Sequence, residues 1–191
     1  MEKCTVTECI KAAVEVMGQD STAQLTNCSF TRCQRQAVVG YNSANRLEMV
    51  RCKVTSSGKF GMYSCLLLSN RVTMLRNCKF DRNHSEAIVM QGSAESDHSP
   101  FLSMDGCALT KNSGAASGIN FLAVAVGKKV ILRDNRIERN GLGRDSDVVA
   151  VKGLEGRIVI TGTNNVPEKT AILELSGDLL RYYESCTSVE M

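Results

Sequence analysis

The chain has 191 residues, 43% of them hydrophobic, and its 23 basic and 20 acidic side chains leave a net charge of +3. This length and apolar content suit one folded domain and exclude a disordered chain, while the balanced charge requires neither nucleic acid nor a membrane as partner. No run of 18 apolar residues occurs, so no transmembrane helix is predicted.

The nine cysteines include no C-x-x-C pair, so neither a zinc ribbon nor a thioredoxin-type motif is predicted. We expect small, buried apolar side chains in a cytoplasmic, reducing compartment, with no metal and no cofactor. The first residues also lack the layout of a signal peptide.

A short segment recurs six times along the chain, marked in each repeat by one cysteine or asparagine. Met or Leu stands three residues before the marker, an apolar residue two after it, and Cys, Ser or Asn five after it. Four columns that keep their chemical type through six repeats indicate a solenoid. The markers are Cys4, Cys28, Cys52, Cys78, Cys107 and Asn135.

A second apolar segment follows each marker, as in Ala13-Val-Glu-Val and Ala87-Ile-Val-Met, and many of these runs end at glycine. Such runs predict short buried strands. Repeats stacked at the spacing of a parallel sheet, about 4.8 Å, would bury like residues on like. The sequence therefore predicts an all-β, right-handed parallel β-helix solenoid of about seven rungs over residues 1–178, with a short C-terminal cap or tail over 179–191.

Asparagine occupies the fifth position after the marker in three successive repeats, at Asn83, Asn112 and Asn140. Each amide can bond both its neighbour and the local backbone, which predicts a stacked amide ladder at a turn. Leucine-rich repeats begin with a similar pattern, but they would continue with helical leucines. The continuation here is strand-like, as in Asp147-Val-Val-Ala-Val-Lys-Gly, and favours the β-helix.

The pattern I/L-x-x-C/N-x-F/I-x-x-N/C followed by A/G-I/V resembles the pectin-lyase-like right-handed β-helix superfamily over about residues 1–178. It is most similar to the eukaryotic repeats of F-box β-helix proteins and of the SHC SH2-domain-binding protein. The resemblance implies the architecture and leaves function open, because the superfamily spans lyases, hydrolases and adaptors. F-box β-helix proteins use such repeats to recruit substrates, although no F-box is visible here.

The first repeat begins abruptly, without a capping segment. This predicts a fragment of a longer protein, or a first rung covered by another subunit through self-association.

Basic side chains recur at three fixed repeat positions and would form lengthwise stripes if the rungs stack in register. One of these positions, one residue after the marker, holds Lys53, Lys79 and Arg136. A stripe of this kind suits an acidic or phosphorylated segment of another protein, and the plainer alternative is that it solubilises the sheet surface. No aromatic-interleaved motif favours nucleic acid. The first basic stripe contains Arg32, Arg82, Lys111 and Arg139, interrupted by Ser56, and the second contains Arg46, Arg71, Lys129 and Arg157.

The sequence thus predicts a non-catalytic protein-interaction or scaffolding module of a larger intracellular protein. Its contacts would be the basic stripes and a loop inserted in the fourth repeat, with Asp97 and His98. The alternative is a small lyase or hydrolase acting on acidic polysaccharide, for which Asp105 and Asp134 are the best available carboxylate pair. Scattered rather than stacked acidic residues do not favour it.

Overall fold

The computed structural model describes residues 1–18, 20–40, 46–58, 65–68, 72–91, 100–113, 119–122, 129–138, 140, 149–151 and 157–161. Every regular element in these ranges is a β-strand. The eighteen strands form three parallel sheets of six strands each, and the chain visits the three sheets in turn before it begins the next level.

The first sheet contains β1 (Thr5–Thr7), β4 (Ser29–Thr31), β7 (Lys53–Thr55), β10 (Lys79–Asp81), β13 (Ala108–Thr110) and β16 (Arg136–Glu138). The second sheet contains β2 (Val14–Val16), β5 (Val38–Gly40), β8 (Leu66–Leu68), β11 (Ile88–Gln91), β14 (Ile119–Leu122) and β17 (Val149–Val151). The third sheet contains β3 (Thr22–Thr26), β6 (Arg46–Val50), β9 (Val72–Arg76), β12 (Pro100–Asp105), β15 (Lys129–Arg133) and β18 (Arg157–Thr161).

Each strand pairs in parallel with the equivalent strands one level before and one level after it, which confirms the predicted parallel β-helix. Each sheet has six strands within the described residues, against the predicted total of about seven rungs. The repeat around Ala171 and the predicted cap over 179–191 lie outside the described residues.

The core of the solenoid is built from columns of like residues, because alternate side chains of a strand point inward. In the first sheet the middle residue of each strand faces the interior, and Phe30 and Phe80 are fully buried there. Burial of such a side chain contributes about 1.5–3 kcal/mol. The column consists of Val6, Phe30, Val54, Phe80, Leu109 and Ile137.

The marker column does more than supply the small apolar side chains expected from the sequence. The eight described cysteines are free thiols, and six of them are buried. Each marker thiol from the third level onward donates to a carbonyl one level away, as Asn135 does with its amide. A hydrogen bond with Cys107 and, less strongly, burial raise the pKa of Cys78 to about 12, so this thiol keeps the proton that it donates. These bonds join Cys52 Sγ to Leu25 O (3.3 Å), Cys78 Sγ to Met49 O (3.4 Å), Cys107 Sγ to Leu75 O (3.4 Å) and Asn135 Nδ2 to Met104 O (3.1 Å).

The residue before each marker has a positive φ, between 52° and 61° in the described levels. This left-handed conformation costs a residue with a Cβ about 1–2 kcal/mol. Backbone hydrogen bonds between levels, such as that from Asn77 N to Asp105 O (2.8 Å), offset this cost. At Gly106 an added Cβ would lie 2.5 Å from the Asn77 Oδ1 atom, so a side chain there would force the Asn77 amide to move.

The predicted amide ladder is confirmed. Asn83 Nδ2 donates to Asn112 Oδ1, and Asn112 Nδ2 donates to Asn140 Oδ1, both at 2.7 Å. Each of the three amides also donates to the carbonyl of an inward-facing residue of the first sheet. All three side chains are buried, so these bonds satisfy polar groups that water cannot reach.

We expect Asn112→Ala to lower the free energy of unfolding by about 2–4 kcal/mol. The substitution leaves two N–H donors of Asn83 and the Phe80 carbonyl without their hydrogen-bond partner. Asn112→Ser should cost less. Ser57 already occupies this column, where its hydroxyl accepts from Cys33 N and donates to Thr55 O. Urea denaturation followed by circular dichroism measures both variants, and an equal loss would contradict the account of the ladder.

The core of the third sheet contains one polar group without a partner among the described residues, the Thr73 hydroxyl. Thr73 is fully buried. Thr73→Val keeps the shape and removes the unsatisfied group, so we expect it to stabilise the fold by about 1 kcal/mol. The matched control is Thr110→Val, whose hydroxyl donates to Asp81 Oδ1 at 2.7 Å, and which should be destabilising. Equal effects of the two substitutions in thermal denaturation would count against this reading.

Candidate functional site

The first sheet carries two columns of polar side chains, one on each flank of the buried middle residue. The column before the middle residue is exposed or half-buried, whereas the column after it is buried at Thr55, Asp81 and Thr110. The column before the middle residue becomes cationic at Lys53 and continues through Lys79, Ala108 and Arg136. The column after it runs through four threonines and two carboxylates. These are Thr7, Thr31, Thr55, Asp81, Thr110 and Glu138.

A depression of about 390 Å³ lies over β10, β13 and β16. The depression forms because the short side chain of Ala108 lies between the long side chains of Lys79 and Arg136 on the neighbouring strands. Its rim carries four cations and two carboxylates, a net charge of +2. The cations are Lys79, Arg82, Lys111 and Arg136, and the carboxylates are Asp81 and Glu138.

Asp81 lies between two cations on one side of the depression. Its side chain is only 10% exposed and lies 3.1 Å from Arg82 Nε and 3.7 Å from Lys79 Nζ. Burial alone would raise the pKa of the Asp81 carboxyl, but the Thr110 hydroxyl bond and the Lys79, Arg82 and Lys111 charges together lower it. The carboxyl is therefore ionised at neutral pH.

The other side of the depression is formed by Arg136 and Glu138. Arg136 Nε donates to Glu138 Oε1 at 2.8 Å, and Arg136 Nη2 donates to the same oxygen. These bonds use the Nε–H and one Nη2–H of Arg136, so the other N–H donors of the guanidinium remain for a ligand. Among the described residues Lys111 makes no ion pair, and its charge acts on Asp81 across the depression, where it helps to lower the pKa of that carboxyl.

The first basic stripe corresponds to a turn column directly after the first sheet. Arg32, Ser56, Arg82 and Lys111 all have φ between 51° and 56°, and the amides of Arg32, Arg82 and Lys111 donate to carbonyls of the strand one level on. The structure brings Arg82 and Lys111 together at the depression. Arg32 stands apart on an earlier level, where Glu8 Oε1 lies 2.7 Å from its Nη2 atom. Arg139 lies outside the described residues.

In the second basic stripe, Arg46, Lys129 and Arg157 share one register position, because the residues that follow them lie in a single column of pairs along the third sheet. Val72, rather than Arg71, pairs with Arg46, whose Nη2 atom lies 3.2 Å from Met74 Sδ. The backbones of Lys129 and Arg157 do pair, at the other end of the third sheet. Arg71 lies outside the described residues.

Asp105 and Asp134 lie on successive levels, and Arg133 stands between them. Arg133 Nη2 donates to Asp105 Oδ2, and its Nε lies 4.0 Å from Asp134 Oδ2. The Arg133 hydrogen bond, against a smaller opposing effect of burial, lowers the pKa of Asp105. A carboxyl held ionised in this way is a poor proton donor for glycosidic hydrolysis.

The predicted loop contacts Asp97 and His98 lie outside the described residues. No cluster of three metal-ligating side chains occurs within the described ranges. A search of the same ranges for a helix able to cross a membrane finds none.

Sequence reasoning missed three residues of the depression, namely Ala108, Thr110 and Glu138. A signal for them exists, because positions one and three after each marker flank the buried middle residue and must point outward. Alanine at the first of these positions is the detail that opens space between two cations.

Residues 1–66 match a family model described as a right-handed beta helix region. No curated protein and no solved structure matches the chain. The family match and the three stacked parallel sheets agree, and both support a place for the chain in the β-helix superfamily.

We expect Asp81→Asn to lower the free energy of unfolding at pH 7 by about 1–2 kcal/mol, because the charge-assisted bonds of Asp81 weaken. The folded pKa of Asp81 lies below its unfolded value, so the stability it contributes is present above the unfolded pKa and is lost as pH falls through the folded pKa. The urea midpoints of the unchanged protein and of Asp81→Asn should therefore converge as the pH falls from about 5 to about 2, the range in which Asp carboxyls become protonated. A difference independent of pH would contradict the ion pairs.

Proposed function

We propose that the protein is a non-catalytic interaction module that binds a partner protein along the outward side of its first sheet. The observation that carries the proposal is the depression over β10, β13 and β16, with its net positive rim on a rigid floor. A partner segment bound there meets side chains already fixed by strand register, which limits the entropy lost on binding.

The likeness of the repeats to those of F-box β-helix proteins and of the SHC SH2-domain-binding protein supports this function. It implies the pectin-lyase-like architecture, which F-box β-helix proteins use to recruit substrates. The eight free cysteines suit a reducing, cytoplasmic location. The pectin-lyase-like architecture and the cytoplasmic location are both parts of this proposal.

The electrostatics of the carboxyls also support binding over catalysis. Hydrolysis of a polysaccharide needs one carboxyl that is protonated near neutral pH. The pKa values of Asp81 and Asp105 are both lowered, each by its neighbours. These carboxyls serve better as counter-ions that orient basic side chains toward a ligand.

A photo-crosslinking residue placed at Arg136, on the first sheet, should capture a partner in cells, whereas the same residue at Glu48, on the third sheet, should not. The captured protein is then purified and its affinity measured. We expect the Lys79→Glu, Lys111→Glu double variant to weaken binding by about tenfold or more, because opposite charges are replaced by like charges. Arg46→Glu is the matched control away from the first sheet, and it should bind as the unchanged protein does.

The same preparation is incubated with polygalacturonate and with alginate, in the presence of calcium, and is followed by unsaturated-product absorbance and reducing ends. We expect no turnover. Turnover that disappears in Asp105→Asn or Asp134→Asn, together with equal crosslinking from both sheets, would overturn the proposal in favour of an enzyme.

A further inference from the structure

The depression over β10, β13 and β16 has a chemical asymmetry that narrows the class of partner. The column through Ala108 presents cations on both neighbouring strands, at Lys79 and Arg136. The column through Thr110 presents carboxylates on the same two strands, at Asp81 and Glu138. A ligand that fits both columns carries negative charge over Ala108 and positive charge over Thr110.

We propose that the depression binds a phosphorylated serine or threonine of the partner over Ala108, with a lysine or arginine two positions away over Thr110. The inference rests on the proposed function and names the chemistry of its partner segment.

The charge over Ala108 favours a phosphate. A phosphorylated side chain carries about −1.5 to −2 charges and three acceptor oxygens at neutral pH, so it can pair with Lys79 and Arg136 together. Lys79 and Arg136 lie one level on either side of Ala108, so their backbones are about 9.6 Å apart, twice the spacing of adjacent strands. This separation leaves room between the two side chains, and the alanine methyl leaves the space open. Lys111 supplies a further cation from the turn.

The spacing along the strand favours a basic residue two positions from the phosphate. Ala108 and Thr110 are outward neighbours on β13, about 6.5 Å apart along the strand. An extended peptide that lies parallel to β13 places its own alternate side chains at the same interval. Its lysine or arginine would then stand between the Asp81 and Glu138 carboxylates.

The existing ion pairs do not block such a ligand. Lys79 and Arg136 each pair with a carboxylate on the same strand, and their side chains are more than half exposed. The carboxylate partners are less exposed, 10% for Asp81 and 29% for Glu138, so the exchange with a ligand takes place on the cation side of each pair while the carboxylates stay in place. The phosphate replaces the carboxylates as the partner of the cations, and the basic residue of the ligand replaces the cations as the partner of the carboxylates.

The test uses the full chain and a degenerate peptide library with one fixed phosphoserine, beside the same library with serine and with glutamate at that position. We expect binding only from the phosphoserine library, with lysine or arginine selected two positions before or after it. Titration with inorganic phosphate should move the amide resonances of Ala108 and Thr110 before those of the third sheet.

Three variants separate shape from charge. Ala108→Leu fills the depression without a change of charge, and we expect about a tenfold loss of affinity for the selected phosphopeptide. Glu138→Gln should keep the binding of phosphate and lose the selection of the basic residue. Lys53→Ala removes a cation of the same column outside the depression and should bind normally. Thermal denaturation of each variant checks that the solenoid is intact.

The outcomes are distinguishable from a failure of the proposed function. If the serine or glutamate library binds as well as the phosphoserine library, or if folded Ala108→Leu keeps full affinity, the phosphate site is wrong. Crosslinking at Arg136 with no binding from any library would also reject this inference and leave the interaction module standing. The absence of any crosslinked partner would reject the proposed function itself.

Discussion

The in-register stacking of parallel strands is the constraint on which the rest of this structure depends. Each level lies about 4.8 Å from the next, so a residue meets the same position of the neighbouring repeats before it meets anything else. A column therefore favours side chains that can pack against, or hydrogen-bond to, the equivalent side chain on the next level. Phe30 and Phe80 stack among aliphatic residues, and Asn83, Asn112 and Asn140 satisfy one another's amides.

The marker column shows the same rule for a weaker donor. Cys78 and Cys107 accept or donate at positions where Asn135 uses its amide, since both side chains are short and carry a donor beside an acceptor. This explains why cysteine and asparagine share the column. Among the described residues the buried Thr73 hydroxyl is the exception, because it has no hydrogen-bond partner.

The register that orders the core also orders the surface, and the candidate site follows from it. The middle residue of each first-sheet strand is fixed inward, which leaves its two neighbours free to vary outside. Around Ala108 that freedom produces cations on one column and carboxylates on the other, and within the second column the Thr110 hydroxyl donates to Asp81. A rigid scaffold holds this pattern without a loop that has to close over the ligand.

The sequence by itself determined the solenoid, the inward column of the first sheet, the marker column and the amide ladder. These features repeat close to the marker, where every repeat has the same length. Only the tertiary structure decided which basic residues meet. Arg71 stands seven residues before its marker and Arg46 six, and the two strands pair in unbroken register, so Val72 takes the place beside Arg46. The depression likewise exists only because three strands from distant parts of the chain put a small residue between large ones, which no single repeat can reveal.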